Sequence, residues 1–234
     1  MLCDEFIDSM SDSYKKIKLL SNKNGATVIK MRNIRLSKDL VLKKYQSKIE
    51  AYDKLRSISH PNLPEIYDAL TLDDGQIVLE EYIDGITVAE VLESGLYTYE
   101  GAKSVLLQLC SALSTLHKLG IVHRDIKPEN IIIDLSGKAK LIDLNASRIE
   151  EPTASCDTVL LGTIGYASPE QMGITASDRR ADIYALGVLL NVMLTGEHPS
   201  KRLARGKAKS IILKCTSISP ENRYATVEKL IWSL

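Results

Sequence analysis

The stretch of this chain that is most informative about its fold is His123-Arg124-Asp125-Ile126-Lys127-Pro128-Glu129-Asn130. It lies between a run with the apolar spacing of a long helix, about residues 99–119, and a strand-like run over residues 130–134. This stretch matches a known sequence motif at five fixed positions, and such a match would arise by chance in roughly one in ten thousand chains of this size. The stretch therefore predicts a loop in which an acid, a base and an amide lie close together.

This loop resembles the catalytic loop of the eukaryotic-like (Hanks-type) serine/threonine protein kinases. The resemblance implies transfer of the γ-phosphate of ATP to a protein hydroxyl, with Mg²⁺ as the metal. It implies that Asp125 orients the attacking hydroxyl and that Asn130 offers an amide oxygen to Mg²⁺. Lys127 would supply a cation near the γ-phosphoryl group. The catalytic residues expected are therefore Asp125, Lys127 and Asn130.

A second acidic motif follows 18 residues after Asp125, where the run Lys-Leu-Ile ends at Asp143. Asp143-Leu144-Asn145 stands where the family has Asp-Phe-Gly. The resemblance implies that Asp143 binds Mg²⁺ together with Asn130. Leu144 can replace Phe as an apolar plug, and Asn145 can adopt the positive φ that Gly usually takes there.

Three further motifs resemble structural parts of the family. Ser168-Pro169-Glu170 stands for Ala-Pro-Glu at the end of the activation segment, and the resemblance implies an ion pair between Glu170 and Arg223. Asp182 is expected to hold the backbone of the catalytic loop. Thr163 is expected to contact Asp125 and Lys127.

The nucleotide-binding side is less well marked. Ser21–Val28 aligns with the glycine-rich loop but has lost its glycine positions, and a plain turn between two strands explains it almost as well. In this alignment Val28 packs on adenine. Lys43 follows Ser21 at the usual interval and is expected to bind the phosphates, with Lys44 and Lys30 as alternatives.

The sequence does not determine the ion-pair partner of Lys43 or the register of the hinge residues. Either the helix expected at about residues 47–58 is offset and Glu50 pairs with Lys43, or the ion pair is absent. In the link near residues 81–86, the backbone groups of Glu81 and Ile83 are expected to bind adenine. Glu80 falls where the family has an apolar residue or Thr.

The chain has 234 residues, 44% of them apolar, and its 30 Lys and Arg balance 30 Asp and Glu. These values exclude wholesale disorder, and the absence of a basic excess gives no support to nucleic-acid binding. No run approaches the roughly 18 consecutive apolar residues of a membrane span. The four cysteines are scattered, which favours a reducing, cytoplasmic compartment.

The apolar patterns predict a β-rich first third and a mainly helical remainder. Strands are expected at about residues 16–20, 26–31, 39–45, 76–83, 130–134 and 138–143, and helices at about 47–58, 88–94, 99–119, 181–195, 207–215 and 225–233. The expected fold is α+β: a two-lobe protein-kinase-like fold with a small antiparallel β-sheet N-lobe carrying one helix and a mainly α-helical C-lobe.

The expected domain limits follow from these patterns. Residues 1–13 form an N-terminal extension, and residues 14–234 form the kinase domain. Within it the N-lobe covers 14–82, the hinge about 81–86 and the C-lobe 86–234. A cleft between the lobes is the expected ligand site.

Residues 144–169 show no periodicity and are expected to form a long functional loop. Its hydroxyls include Thr153, Ser155 and Thr158, and phosphorylation of Thr158 or a neighbour is a hypothesis, with free hydroxyls as the alternative. No nucleic-acid or membrane partner is expected. The sequence specifies no protein substrate and no oligomeric state.

Two other functions stay open. A pseudokinase would use the same fold for nucleotide binding or as a scaffold, which the glycine-poor loop and Asp143-Leu144-Asn145 favour. A kinase-fold enzyme acting on small molecules is the second, which Lys127 and the Ser168-Pro169-Glu170 segment oppose.

Overall fold

The computed structural model describes residues 1–23, 25–150, 163, 165–172 and 177–234. It divides into two compact units, the first made of residues 1–60 and 64–83 and the second of residues 61–63 and 84–234. The first unit contains a large sheet, and the second contains the long helices. This distribution confirms the expected α+β class.

The first unit is built on one antiparallel sheet. Its strands are β1 (Tyr14–Lys23), β2 (Ala26–Asn33), β3 (Lys38–Tyr45), β4 (Ile66–Leu72) and β5 (Gly75–Glu81). They lie in the order β1-β2-β3-β5-β4. The apolar pattern predicted all of them except β4, where a register shift between Ile66 and Asp68 breaks the alternation of a regular strand.

The turn between β1 and β2 is tight. Lys23 pairs with Ala26, so only two residues connect the strands, and Gly25 has a φ of 72°. Positive φ is usual in two-residue hairpin turns, and glycine adopts it without strain.

Two helices belong to the first unit, where one was expected. Helix α1 (Cys3–Ser9) lies in the segment expected to be an extension. Its Cys3 is fully buried in a cluster with Met10, which directly follows the helix, and with apolar residues of the sheet: Ile29, Met31, Leu40, Leu42 and Ile77. Seven residues with few apolar positions give too short a periodic signal to be recognised in the sequence.

The other helix of this unit, α2 (Glu50–Leu55), is shorter than the expected 47–58. The N–H of Ile49, which precedes it, donates to Oε1 of Gln76 on β5 over 2.9 Å. Tyr52 of α2 packs against Tyr45 of β3, with ring centroids 5.7 Å apart. Since Leu42 and Tyr45 point to opposite faces of β3, α1 and α2 cover opposite faces of the sheet.

The second unit contains five α-helices among the described residues. They are α3 (Val88–Ser94), α4 (Tyr99–Lys118), α5 (Arg180–Thr195), α6 (Lys207–Cys215) and α7 (Val227–Ile231). Thr87, Thr98 and Thr226 cap α3, α4 and α7 through their side-chain oxygens. The expected bounds agree with these helices to within about two residues.

Helices α4 and α5 form the core of this unit. The predicted stripe of α4 is fully or almost fully buried: Leu106, Leu109, Leu113 and Leu116. Gly187 of α5 lies so close to Cys215 of α6 that a Cβ atom at this position would clash with it. Glycine is therefore what allows α5 and α6 to approach each other here.

Short strands of the second unit hold the loop identified in the sequence. They are β6 (Gly85–Thr87), β7 (Ile121–Val122), β8 (Ile131–Asp134), β9 (Ala139–Leu141) and β10 (Arg148–Ile149). Residues 123–130 connect β7 to β8. In the part of the chain that the structure describes, no helix is long and apolar enough to cross a membrane.

Candidate active site

Asp182 of α5 anchors the loop between β7 and β8. Its two carboxylate oxygens accept the backbone N–H groups of His123 at 3.0 Å and Arg124 at 2.8 Å. Nε2 of His117 lies 2.8 Å from Oδ2 of the same carboxylate. Burial alone would raise the pKa of Asp182, but these hydrogen bonds, led by that of His117, lower it overall. The structure therefore confirms the expected role of Asp182.

His123 ties this loop to the segment before Asp143. Burial lowers the pKa of the His123 imidazole, so the ring is neutral. Its Nε2 donates to the carbonyl of Ile142 at 3.2 Å, and its Nδ1 accepts the N–H of Asp125 at 3.3 Å. One neutral tautomer makes both bonds.

Asp125 lies at the centre of a hydrogen-bonded cluster. Nζ of Lys127 and Oγ1 of Thr163 each lie 2.7 Å from one of its carboxylate oxygens, and 2.7 Å separates Nζ of Lys127 from Oγ1 of Thr163. Burial acts to raise the pKa of Asp125, but the hydrogen bonds from Lys127 and Thr163 outweigh it and lower the pKa. Asp125 is thus a carboxylate at neutral pH, and the expected contacts of Thr163 are confirmed.

Asn130 is oriented by the same carboxylate. Its Nδ2 donates to the backbone oxygen of Asp125 at 2.8 Å and to Oδ2 of Asp125 at 2.9 Å. Because the amide nitrogen faces Asp125, the amide oxygen is the atom of Asn130 that could bind a metal ion.

Asp143 directly follows Ile142, whose backbone is hydrogen-bonded to that of Asn130. The N–H of Ile142 donates to the carbonyl of Asn130 over 2.9 Å. Asp143 itself has a φ of 68°, whereas Asn145 is not among the residues with positive φ. Asn145 therefore does not use the left-handed conformation that was open to it, and Asp143 adopts that conformation two residues earlier. Oδ1 of Asp143 accepts the N–H of Asn145 at 3.1 Å, and Leu144 is buried as expected.

The donor chemistry of Asn130 and Asp143 fits Mg²⁺, which prefers oxygen ligands and usually keeps several waters. Among the described residues no group of three His, Cys, Asp or Glu side chains is arranged to hold a metal ion.

Lys43 is buried in the first unit, where its partner is Glu80 of β5. Nζ of Lys43 lies 2.7 Å from Oε1 of Glu80, and each side chain is only 5% exposed. Glu50 is exposed at the first position of α2 and forms no ion pair with Lys43. The expected Glu50–Lys43 pair is therefore wrong. Helix α2 approaches Lys43 through Tyr52, whose hydroxyl lies 3.4 Å from Nζ.

The alternative lysines have other partners. Nζ of Lys30 lies 2.9 Å from Asp39 and 3.7 Å from the ring centre of Tyr82, and its hydrogen bond to Asp39 raises the pKa of Lys30. Lys44 pairs with Asp4 of α1 over 2.8 Å. Because Lys44 points to the opposite face of β3 from Lys43, it lies on the face that α1 covers.

The sequence as a whole matches one family model over residues 12–230, that of the protein kinase domain. The chain belongs to the protein kinase family.

Bacterial proteins named as serine/threonine-protein kinases are among the curated relatives of this chain. PrkC of Bacillus subtilis is 30% identical over 94% of this chain and 40% of its own length. PknB of Mycobacterium tuberculosis is 28% identical over 94% of this chain and 42% of its own. A Clostridium perfringens protein named as a probable serine/threonine-protein kinase is 32% identical over 77% of this chain and 30% of its own. The chain thus spans less than half the length of these relatives.

In this kinase domain Val28 is half-buried on β2 and lies directly opposite Lys43 of β3. Both side chains therefore share one face of the sheet. Glu81 ends β5, and its N–H donates to the carbonyl of Glu65 over 2.8 Å. Any contact of Glu81 with adenine would therefore come from its carbonyl. Ile83 follows the strand and is buried.

The end of the kinase activation segment is fixed by a buried pair. Both guanidinium ends of Arg223 contact Glu170, at 2.6 and 2.8 Å, which confirms the expected ion pair. Nε2 of Gln171 donates to the carbonyl of Arg124 at 2.8 Å. The sequence analysis missed this contact of Gln171 with the catalytic loop, and also the contact of His117 with Asp182. Neither side chain carries a local signal of its role. Thr153, Ser155 and Thr158 lie outside the described residues.

Proposed function

We propose that this chain is a serine/threonine protein kinase that transfers the γ-phosphate of ATP to a protein hydroxyl in a Mg²⁺-dependent reaction. One observation carries the proposal: Asp125 is an ionised carboxylate held between Lys127, Asn130 and Thr163. The names of the relatives support the choice of serine and threonine as acceptors.

In the proposed reaction Asp125 accepts a hydrogen bond from the substrate hydroxyl, orients it and takes up its proton. Lys127 stabilises negative charge on the transferred phosphoryl group. The contact between Lys127 and Asp125 keeps both groups in place before substrate binds. Mg²⁺, when bound, neutralises phosphate charge, and the amide oxygen of Asn130 and the carboxylate of Asp143 would hold it.

For the nucleotide we propose Lys43 as the residue that binds the phosphates. Val28, on the same sheet face as Lys43, would pack on adenine. The carbonyl of Glu81 and the N–H of Ile83 would form the hydrogen bonds to the base.

The pseudokinase alternative is not favoured. Its support came from the glycine-poor hairpin and from Asp143-Leu144-Asn145, but the residues proposed for chemistry are present and mutually bonded in the second unit. The small-molecule phosphotransferase is opposed by the contacts of Thr163 and by the Glu170–Arg223 pair, which belong to an activation segment of the protein-kinase type.

Several further features remain proposals. They are the domain limits 1–13, 14–82 and 86–234, a phosphorylation site at Thr158 or a neighbour, and the absence of nucleic-acid and membrane partners. A cytoplasmic location is supported by the free thiols of Cys3, Cys110 and Cys215.

The direct test is incorporation of labelled phosphate from ATP and Mg²⁺ into the protein itself and into a generic protein acceptor. Asp125→Asn should lower the rate about 10²–10⁴-fold, because the hydroxyl loses its proton acceptor. Asp12→Asn, the same change at an exposed carboxylate, should leave the rate unchanged. A panel of small-molecule acceptors distinguishes the second alternative.

Two outcomes would contradict the proposal. Equal rates for Asp125→Asn and wild type would remove Asp125 from the chemistry. A nucleotide-dependent rise in melting temperature without any transfer would favour the pseudokinase.

A further inference from the structure

We infer that Glu80 is the positioning residue for Lys43: its carboxylate holds the ammonium group where it can bind nucleotide phosphates. The family resemblance gave this task to a glutamate of α2. The inference rests on the proposed function for its nucleotide, but the pairing of Glu80 with Lys43 can be tested without any nucleotide.

The strand register brings the two side chains together. In the antiparallel pair of β3 and β5, Val41 lies opposite Glu80 and Lys43 lies opposite Val78. Side chains two residues apart on a strand share a face, so Lys43 and Glu80 are diagonal neighbours on one face of the sheet. Long side chains bridge such diagonal positions, and here Nζ and Oε1 are 2.7 Å apart.

The burial of both groups makes this contact a strong constraint. Each side chain is 5% exposed. A buried ammonium group and a buried carboxylate both lose hydration, and only close pairing compensates for that loss. The family resemblance leaves the carboxylate of Glu80 unexplained, because the family has an apolar residue or Thr at this position. The structure explains this carboxylate as the counter-charge of Lys43.

Helix α2 offers no acidic alternative. Glu50 is exposed, and Asp53, the other carboxylate of α2, is exposed and pairs with Lys48 over 2.8 Å. The helix approaches Lys43 through the neutral hydroxyl of Tyr52, which is bonded to the hydroxyl of Tyr45 at 2.7 Å. Because β3 and β5 are adjacent strands of one sheet, the position of Lys43 is set by the sheet register. The counter-charge of Lys43 in this structure therefore comes from the sheet itself, through Glu80 of β5.

The test compares Glu80→Gln with its matched control, Glu50→Gln. Both change a carboxylate of the first unit to an amide, and only the first touches Lys43. Glu80→Gln should raise the KM for ATP about 10- to 100-fold. It should weaken Mg²⁺-ADP binding, measured by thermal shift, by a similar factor. Glu50→Gln should stay within about two-fold of wild type, as expected for an exposed carboxylate.

A second arm separates positioning from a general role in stability. In a Lys43→Met background, Glu80→Gln should cause no further loss of Mg²⁺-ADP affinity, because Glu80 acts through Lys43. Glu80→Asp retains the negative charge and should recover part of the affinity; it also serves if Glu80→Gln does not fold.

A third arm needs no nucleotide. Acetylation of Lys43 by a pulse of acetic anhydride, followed by mass spectrometry, should be slow in wild type and in Glu50→Gln and faster in Glu80→Gln. If wild type binds no Mg²⁺-ADP, the proposed function fails while this arm still reports on the pair. The inference is overturned if Glu50→Gln reproduces the effects of Glu80→Gln or exceeds them, or if Glu80→Gln weakens binding equally in the Lys43→Met background.

Discussion

Asp125 shows how neighbours set the charge of a single residue. Burial favours its neutral form, while Lys127 and Thr163 favour the carboxylate and lower its pKa. A proton acceptor must be ionised at the working pH, so these two neighbours support the proposed role before any substrate is bound.

At the residue scale this balance predicts a shift in pH dependence. In Lys127→Met the hydrogen bond that lowers the pKa of Asp125 is lost and the effect of burial remains, so the pKa rises. Activity should then be lost at a higher pH as the solution is acidified, in addition to an overall fall in rate. The measurement is kcat/KM for the protein acceptor between pH 4 and 8.

Lys209→Met is the control for this experiment, because Lys209 is an exposed lysine of α6. For Lys209→Met, the fall of kcat/KM on acidification should occur at the same pH as in wild type. An acid limb for Lys127→Met at the wild-type position would show that Lys127 does not set the ionisation of Asp125.

Asp182 links the residue scale to the element scale, because one side chain of α5 fixes the backbone of a loop. Asp182→Asn should destabilise the protein by about 3 kcal/mol at pH 7, since an NH₂ donor replaces one of the two oxygens that accept the His123 and Arg124 N–H groups. The pKa of Asp182 is lowered in the fold. Its stabilising effect is therefore complete above the unfolded-state pKa, about 3.9, and is lost as the pH falls through the folded value.

Urea unfolding of wild type and Asp182→Asn at several pH values checks this prediction. The difference in free energy of unfolding should be largest at neutral pH and should narrow on acidification below the ordinary carboxylate range. A difference that does not change with pH would show that the charge of Asp182 is not what holds the loop.

Helix α1 is an element whose contribution the sequence did not reveal. Its buried neighbour Met10 lies in one apolar cluster with Leu42 and Ile77 of the sheet. Met10→Ala should lower the free energy of unfolding by about 2–5 kcal/mol, because it leaves a cavity in that cluster. Leu2→Ala, at a side chain 46% exposed, should change it by less than about 0.5 kcal/mol. Urea unfolding measures both, and equal effects would mean that the packing of Met10, at the end of α1, does not stabilise the sheet.

At the scale of the whole molecule, buried thiols report on folding in both units. Cys3 lies in the first unit, and Cys110 and Cys215 lie in the second. Burial raises the pKa of Cys3 to about 11 and that of Cys110 to about 12, and it also raises the pKa of Cys215. At pH 8 these thiols are therefore neutral and enclosed, and the thiolate is the reactive form.

Iodoacetamide labelling followed by mass spectrometry should find all three thiols slow to react in the native protein and fast in urea. Fast labelling of Cys110 or Cys215 alone would locate an opening in the helical unit. Fast labelling of Cys3 alone would show that α1 leaves the sheet.

Much of this molecule could be predicted from the sequence because the signals are local. The stripe of α4 and the apolar run of α5 predict helices, since burial of a helix face requires a fixed spacing. The order Asp125, Lys127, Asn130 within one loop predicted a cluster, and the structure brings these side chains together with Thr163. Strand β4 was missed because a register shift between Ile66 and Asp68 interrupts the alternation of side chains by which a strand is recognised in a sequence.

The tertiary structure decided what depends on contacts between distant residues. The sequence determined that Lys43 lies on a strand, but its partner depends on how β5 pairs with β3, and that register selects Glu80 over Glu50. The hydrogen bond of Gln171 to the catalytic loop and the burial of Cys3 likewise join parts of the chain that are far apart in sequence. Spacing along a chain fixes which side chains share a face, whereas packing alone determines what that face meets.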